Sequence, residues 1–470
     1  MGERADIVVI GAGPAGMAAA IQAAAAGLAV AVLDDQPTPG GQIWRNVEGA
    51  AERGDLKLFG KDYRRGLASV KRFRLARVDY QPGARVVGVE PDADARDTGG
   101  DVLFVRKGQA ARLSCKRLIV ATGAYERPTP FPGWTLPGVM TLGAAQIALK
   151  TSDLVPERPF VIAGQGPLLL LLAAQLEAAG APPDAVLDLS DPGLALTAGK
   201  SAAMAALLAP DYLAKGAYWL GRLRATARNV VQIRALGAER LRQVEWRTAA
   251  GAVGRIDVRT LLVHDGVIPN AQLTRAMRAP HLYDMAADAW RPAADRLTGQ
   301  LDDMPWVHVA GDCAGVAGWA AAEALGESAG AAAATALGRT ATPGRWSRTR
   351  ASRARALRPF LDRIYRPARA FQRPDDATLV CRCEEVTAGA VRAAAALGAQ
   401  GPNQLKAFTR AGMGPCQGRM CSQTVAAILA DAQGRGPGDV GLMRVRLPIS
   451  PLTVGELAGL NETEIKLPLS

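Results

Sequence analysis

The sequence predicts an α/β protein with two nested Rossmann-like units, followed by a small helical module that carries four cysteines. Residues 6–35 follow the pattern strand, glycine turn, helix and strand, and residues 160–189 repeat it. The segment 306–312 is typical of a strand that returns to the first sheet, which would place the second unit inside the first. The four cysteines stand in two close pairs near the C-terminus.

The composition predicts a soluble globular protein with a substantial core. With 470 residues, 49% of them hydrophobic, the chain can build two or three domains. The most apolar run, residues 168–174, is too short to cross a bilayer. A strand pattern begins at Asp6, so we expect no signal peptide and a cytoplasmic location. Six cysteines are too few for a disulfide framework, and the paired ones indicate a metal.

The first glycine turn has the context of a dinucleotide-binding fingerprint. Gly11 permits the turn, Gly13 lets the backbone approach a pyrophosphate, and Gly16 permits close packing of helix and strand. The helix N-terminus favours phosphates. Asp34 ends the next strand, where a carboxylate accepts hydrogen bonds from the adenosine ribose. The turn therefore predicts a bound dinucleotide.

FAD and NAD share this fingerprint, and later segments favour FAD. The chain resembles the two-dinucleotide-domain flavoproteins, which include thioredoxin reductases and glutathione reductases, at residues 40–41, 121–123 and 311–312. In that family the Gly-Asp aspartate binds the flavin side of FAD, and the following helix, here starting near Gly318, points its N-terminus at the isoalloxazine. The predicted FAD-binding residues are Gly11, Gly13, Gly16, Asp34, Gly40, Gly41, Gln42, Thr122, Gly123, Gly311 and Asp312.

The second glycine turn, residues 164–169, departs from the fingerprint. Leu169 stands where the third glycine belongs, so its side chain either pushes the helix away from the strand or forces a different turn. Three interpretations stay open at this point. The second unit binds NAD(P), it is retained for packing, or it holds a different nucleotide.

The four-cysteine segment predicts a metal site. Cys381 and Cys383 are followed, 32 residues later, by Cys416 and Cys421. A C-x-C pair with a C-x4-C pair is unusual for zinc ribbons, and the segment resembles the bacterioferritin-associated-ferredoxin-like 2Fe–2S domain. We therefore favour a 2Fe–2S cluster over zinc or an empty site. Thr387 is predicted to cap a helix over residues 388–397, and a second helix is predicted to begin in the 416–421 loop.

The whole arrangement is similar to the α subunits of heteromeric amine dehydrogenases, a group that includes opine oxidases, D-hydroxyproline and proline dehydrogenases, and hydrogen cyanide synthase. The similarity covers nearly the whole chain and rests on residues 40–45 (GGQIWR), 126–128 (ERP), 132–134 (PGW) and 412–419 (GMGPCQGR). It implies that a separate flavoprotein β subunit oxidises an amino, imino or opine-type acid and that electrons then cross to this chain. It leaves room for FMN at a subunit interface and for a small third subunit, and it does not identify the electron acceptor.

These observations divide the chain into segments. We predict the FAD-binding domain in residues 1–150 and 271–340, the second dinucleotide-binding-like domain in 151–270, a connector in 341–376, the 2Fe–2S module in 377–435 and a tail in 436–470. The connector is rich in arginine, with ten arginines, no lysine and a single acid between residues 345 and 373. It is either a solvated linker or a docking surface for an acidic partner or phosphates. No nucleic-acid-reading motif accompanies the charge, so we exclude nucleic acid as a partner.

No catalytic residue for substrate oxidation is predicted. The chain has only three histidines, without a nucleophile–base pair or a carboxylate dyad, so cofactors would carry the chemistry. Cys115 and Cys313 are isolated and are expected to be small buried hydrophobes. Two alternatives stand beside the electron-transfer subunit: a stand-alone NAD(P)H-dependent reductase, and a non-catalytic regulatory subunit with zinc.

Overall fold

The structure is a computed structural model, and it describes residues 5–92, 98–222 and 225–460. The strands are β1 (Ala5–Ile10), β2 (Val30–Asp34), β3 (Asp79–Pro82), β4 (Arg85–Pro91), β5 (Gly100–Arg106), β6 (Gln109–Val120), β7 (Ala124–Glu126), β8 (Val139–Thr141), β9 (Phe160–Gly164), β10 (Ala185–Asp188), β11 (Val230–Leu236), β12 (Gln243–Thr248), β13 (Val253–Asp257), β14 (Thr260–His264), β15 (Val267–Pro269), β16 (His281–Asp284), β17 (Ala289–Pro292), β18 (Gln300–Leu301), β19 (Met304–Val309), β20 (Leu379–Cys381) and β21 (Val386–Thr387). The helices are α1 (Pro14–Ala25), α2 (Val47–Arg53), α3 (Lys61–Leu75), α4 (Leu142–Ser152), α5 (Pro167–Ala178), α6 (Pro192–Leu196), α7 (Gly199–Leu208), α8 (Pro210–Arg222), α9 (Gln272–Ala276), α10 (Trp319–Ala336), α11 (Arg345–Ile364), α12 (Arg369–Gln372), α13 (Ala388–Ala396), α14 (Pro402–Thr409), α15 (Ser422–Gln433), α16 (Pro437–Val440) and α17 (Val454–Gly459).

The first sheet is parallel at its centre, in the order β18-β19-β6-β1-β2-β3. The apolar strand β1 is buried between β2 and β6, and Val9 pairs with Val32 on one side and Ile119 on the other. The hairpin β4–β5 joins the sheet through the N-terminal half of β6. This is the predicted strand–turn–helix–strand unit with its attached hairpin.

The second sheet is also parallel, in the order β10-β9-β14-β8. It is formed between β6 and β19 along the chain, and β19 pairs in parallel with β6, which confirms the predicted return to the first sheet. Strand β8 belongs to this second sheet although it lies upstream of the predicted boundary at residue 151. An antiparallel layer, β11-β12-β13, accompanies the second sheet.

Small residues bring two helices of the first unit together. A Cβ on Gly326 of α10 would lie 2.1 Å from the carbonyl oxygen of Ala15 in α1, and one on Gly330 would lie 2.5 Å from that of Ala19. Neither position can hold a larger residue without moving a backbone. The contact packs α10, the helix predicted to start near Gly318, against α1, which follows the first glycine turn.

The connector is largely helical, which the sequence interpretation did not anticipate. Helix α11 spans 20 residues and contains Pro359. The cysteine module, with β20, β21 and α13 to α15, has its own apolar core around Val391, Leu405 and Val425. The chain after it runs back over the first unit, where Ile449 N donates to Val87 O, and forms α17. The last ten residues of the predicted tail, 461–470, lie outside the described residues.

Among the described residues, no helix combines the length and the apolar character needed to cross a membrane.

Candidate functional site

The backbone of the first glycine turn lets a ligand come close to its N–H groups. Gly11 has φ +100°, and Gly13 is the N-cap of α1, followed by Pro14 at the first helical position. A Cβ on Gly16 would lie 1.8 Å from the carbonyl oxygen of Gly11, so only glycine lets α1 pack this close to β1. The free N–H groups of the first turn of α1 therefore face the carboxyl edge of the sheet.

Asp34 is buried at the same edge with an unused oxygen. Its Oδ1 accepts from Gln36 N at 3.2 Å, whereas Oδ2 is buried and has no hydrogen-bond partner among the described residues. Burial raises the pKa of Asp34 to about 6. A buried carboxylate oxygen without a partner is costly, and a ribose hydroxyl would satisfy it.

The Gly40–Gln42 loop closes over the turn. Gly40 N donates to Ala12 O at 2.8 Å, and a Cβ on Gly41 would lie 2.8 Å from the Cα of Gly13. Lys150 supports the loop: its Nζ donates to the carbonyl oxygens of Gln42 (3.0 Å) and Ile43 (3.1 Å).

Lys150 was missed at the sequence level. It is buried on the inner face of α4, and its Nζ also donates to Gln146 Oε1 at 3.2 Å. Burial lowers the pKa of Lys150 to about 7. The signal that could have found it is the pair Gln146 and Lys150, spaced i,i+4 on the otherwise apolar face of α4.

The remaining predicted residues end neighbouring strands of the same sheet. Thr122 and Gly123 follow β6, and Thr122 Oγ1 donates to Asn270 O at 2.9 Å. Gly311 and Asp312 follow β19 and lie against α1 and α10, with a Cβ on Gly311 only 2.7 Å from that of Ala15. Asp312 Oδ1 accepts from the backbone N–H groups of residues 317 (3.0 Å) and 318 (3.3 Å), which aligns the start of α10, and burial raises the Asp312 pKa.

The predicted FAD-binding residues are thus brought together along one carboxyl edge, the position at which open α/β sheets bind dinucleotides. The residues fit FAD on two observations: the unpartnered Oδ2 of Asp34, and the close approach of Gly41 to Gly13, where a Cβ on Gly41 would lie 2.8 Å from the Gly13 Cα. When bound, FAD would supply redox chemistry, while the chain holds and orients it.

The second glycine turn has a different backbone conformation from the first, which is one of the two outcomes expected of Leu169: Gly166 has φ +98°, whereas the matching Gly13 has φ −76°. Leu169 is 2% exposed and packs in the core, whereas any side chain at the matching position of the first turn would collide with backbone. Helix α5 still begins at Pro167. The Gln165 side chain, in the middle of the turn, donates to Asp265 Oδ1 at 2.8 Å.

The four cysteines lie together as two pairs. Cys383 Sγ and Cys416 Sγ are 3.9 Å apart on the outer side, and both are accessible to solvent. Cys381 and Cys421 are buried; a hydrogen bond from the Cys421 thiol holds the pKa of Cys381 below its usual range, at about 6. Gly412 N also donates to Cys381 Sγ at 3.4 Å.

Local structure sets these positions. Cys381 ends β20, and Cys421 is the N-cap of α15. Thr387 Oγ1 accepts from Ala390 N, which confirms the predicted cap of α13. A Cβ on Gly414 would lie 2.3 Å from that of Cys383, so glycine is needed for the two segments to meet.

The four cysteines are a donor set that a binuclear cluster uses. Four cysteines in two pairs are the ligands of a 2Fe–2S cluster, with two thiolates for each iron. A mononuclear zinc site instead needs four ligands around one centre.

The cysteine loop packs directly on the FAD edge. Tyr125, two residues after Gly123, donates from its hydroxyl to Arg419 O at 3.3 Å, and Arg419 lies between the two C-terminal cysteines. Arg127 is buried and donates to Gln423 Oε1 (3.0 Å) on α15. Strand β7 therefore joins the two candidate cofactor sites, a role that sequence motifs alone did not assign to it.

The histidines and lone cysteines have structural partners. His264 Nδ1 lies 2.7 Å from Glu126 Oε1, and His308 Nδ1 lies 3.1 Å from Thr298 O. Burial lowers the pKa of His281 to about 4. Cys115 and Cys313 are buried, and burial raises the Cys313 pKa, so the prediction of unreactive thiols agrees with the structure.

Comparison with known proteins identifies both domains of the chain. Residues 5–338 match the pyridine nucleotide-disulphide oxidoreductase family, and residues 379–431 match the BFD-like 2Fe–2S binding domain. The chain belongs to the pyridine nucleotide-disulphide oxidoreductase family. It is an oxidoreductase with a flavoprotein fold and a 2Fe–2S binding domain.

Relatives are similar along the whole chain. An opine oxidase subunit of Agrobacterium tumefaciens is 41% identical over 97% of this chain and 92% of that protein. The hydrogen cyanide synthase subunit HcnB of Pseudomonas aeruginosa is 35% identical over 95% of this chain and 96% of that protein. The chain also belongs to the family of these subunits, which the sequence resemblance predicted. The crystal structure of L-proline dehydrogenase from P. horikoshii shares the fold, with a TM-score of 0.70 at 20% identity, over 97% of this chain and 79% of that one.

Proposed function

We propose that this chain is the electron-transferring α-type subunit of a heteromeric, cytoplasmic flavin-dependent dehydrogenase or oxidase that acts on an amino, imino or opine-type acid. Electrons pass between FAD, a 2Fe–2S cluster and the flavin of a partner β subunit. The proposal rests on a family membership that spans both cofactor domains and on the arrangement of those domains in one body.

One observation carries the proposal: the contact between Tyr125 and Arg419. Gly123 and Tyr125 are two residues apart, so their Cα atoms are separated by at most about 7 Å. The loop that bears Cys416 and Cys421 therefore rests on the strand that leaves the FAD edge. The contact brings the two candidate cofactor sites close together, as electron transfer between two sites in one chain needs.

The side chains of this chain and the names of its relatives both favour substrate oxidation on a different subunit. Its described histidines are hydrogen-bonded to Glu126, to Thr298 and, for His281, to Thr274 and Ala279. The relatives are named as subunits of opine oxidase and of hydrogen cyanide synthase. We therefore assign substrate oxidation to a flavoprotein β subunit, and we extend the proposal to FMN at the interface and to a small third subunit.

Purification of the native complex tests the proposal. We expect a second flavoprotein to co-purify, together with iron and acid-labile sulfide in equal amounts in this chain. Under anaerobic conditions an opine or imino acid should bleach the flavin of the complex but not that of the isolated chain.

Two results would count against it. Rapid bleaching of the isolated chain by NADH or NADPH would favour a stand-alone reductase. One zinc per chain without iron or sulfide, in protein produced anaerobically with ample iron, would favour a regulatory subunit in which zinc only stabilises the fold.

A further inference from the structure

The carboxyl edge of the second sheet is the place where a second dinucleotide would bind. It is formed by the ends of β10, β9 and β14, at Asp188, Gly164 and His264. In parallel α/β sheets the pyrophosphate lies at the glycine turn, and the adenosine ribose lies at the acid that ends the second strand. Asp188 occupies that last position, as Asp34 does in the first unit.

A segment of the connector lies across this edge. It comprises residues 363–368, the last turn of α11 and the loop that follows. At its start, Arg363 Nε donates to Thr197 Oγ1 at 3.0 Å, in the region just after β10. Burial and the charge of Asp188 raise the pKa of Tyr365, in the middle of the segment, to about 12.

The middle of the segment is bound at the glycine turn and at the end of β14. Gln165 Nε2 donates to the carbonyl oxygen of Arg366 at 2.5 Å. Ala368 N donates to both carboxylate oxygens of Asp265, at 3.2 and 3.1 Å. Gln165 and Asp265 are each 4% exposed, so these buried polar groups are satisfied by the protein's own backbone.

An aromatic anchor follows. Phe371 is 2% exposed and packs in the core of the second unit, with its ring centroid 5.9 Å from that of Phe131. The segment therefore runs from the region after β10, past the glycine turn, to the end of β14, in the order in which a dinucleotide would lie. The first unit differs, because there Asp34 Oδ2 has no partner among the described residues.

We propose that residues 363–368 are a built-in occupant of the second dinucleotide cleft. Protein backbone occupies the cleft in place of a nicotinamide dinucleotide. The second unit thereby holds the connector in a fixed position between the FAD edge and the cysteine module. The inference does not depend on the proposed electron transfer, because it concerns only what fills the cleft.

Hydrogen–deuterium exchange on the full chain tests the occupancy. The Ala368 amide should exchange slowly in the unmodified protein, and Asp265→Ala should speed its exchange about tenfold or more, because a hydrogen bond to a charged acceptor is lost. Asp257→Ala is the matched control, since Asp257 also accepts from a glutamine side chain, Gln243, at 2.9 Å, but in an exposed pair. The control should leave exchange at Ala368 unchanged. Fast exchange across residues 363–368 of the unmodified protein would overturn the proposal.

Titration calorimetry with NADH and NADPH, in the presence of excess FAD, adds a competition test. We expect no binding to the unmodified chain at millimolar nucleotide. Binding that raises the exchange of residues 363–368 would also support the proposal, because the nucleotide then displaces the segment. Binding that leaves the Ala368 amide protected would overturn it, because nucleotide and segment would then occupy different places.

Discussion

Replacing Gly13 by alanine separates the folding of the first unit from its binding of FAD. The nearest neighbour of the added Cβ is the Cα of Gly41 at 3.7 Å, an ordinary contact, and Gly13 has φ −76°, which alanine adopts readily. Alanine is a poorer N-cap than glycine but restricts the unfolded chain, and these opposing effects are each about 1 kcal/mol or less. The FAD-free variant should therefore unfold close to the temperature of the unmodified protein.

FAD binding should respond very differently, because the same methyl group stands where the pyrophosphate must approach α1. Losing one or two hydrogen bonds to charged phosphate removes about 2–4 kcal/mol. At about 1.4 kcal/mol for each factor of ten, Kd should rise roughly 30- to 1,000-fold. Fluorescence titration of FAD-stripped protein measures Kd, and thermal unfolding of the same sample measures folding.

Two glycines provide the controls. Gly16→Ala places a Cβ 1.8 Å from the carbonyl oxygen of Gly11, so this variant should lose stability even without FAD. Gly216→Ala, in α8, meets no atom within 4 Å; it should leave FAD affinity unchanged and raise the free energy of unfolding by about 1 kcal/mol at most, because alanine favours a helix more than glycine does. If the Gly13→Ala variant binds FAD within about threefold of the unmodified protein, less than ~0.7 kcal/mol, the pyrophosphate does not cross Gly13 and the assignment of the turn is refuted.

Further predictions concern the loop, the acid and the cluster. The ribose hydroxyl favours the charged form of Asp34, so FAD affinity should weaken as the pH falls through about 6, and Asp34→Asn should flatten that dependence. In the FAD-free protein the sign is opposite: because the folded pKa is raised from 3.8 to about 6, the free energy of unfolding should fall as the pH rises through this window, as pH-dependent denaturation can show. Lys150→Met removes the support of the Gln42 loop and should lower FAD affinity about tenfold or more in the same titration, whereas Lys116→Met, at an exposed ion pair, should not. Cys416→Ser should reduce the iron and sulfide content and the EPR signal of the reduced protein while FAD stays bound; loss of FAD together with iron would contradict separate sites.

The parts of the fold that the sequence predicted depend on short-range signals. The turn at residues 11–16 needs glycine for reasons set by adjacent atoms, and the cap at Thr387 is satisfied three residues away. The return of β19 was visible because its apolar strand ends in the Gly311-Asp312 motif. The four cysteines stood out as candidate ligands because soft thiolates in close pairs are rare outside metal sites.

The parts that the sequence did not predict depend on partners distant along the chain. Lys150 supports a loop about a hundred residues earlier, and Arg127 reaches a helix almost three hundred residues later. The arginine-rich connector showed charge but no motif for the carbonyl and N–H groups by which its loop binds the second sheet. Backbone contacts of this kind are independent of side-chain identity, so composition and spacing cannot reveal them.

The nesting of one unit inside the other has a consequence for biosynthesis. Leu118 in β6 pairs with Val307 in β19, so one side of β6 lacks its neighbour until 189 more residues have been made. At about 5–20 residues per second the wait is roughly 10–40 s. The inserted sheet can fold during that interval, whereas the Gly311-Asp312 end of the FAD edge cannot yet exist. We therefore expect flavin capture to follow emergence of α10 from the ribosome, and nascent chains that stall earlier to expose an unpaired strand edge that chaperones must shield.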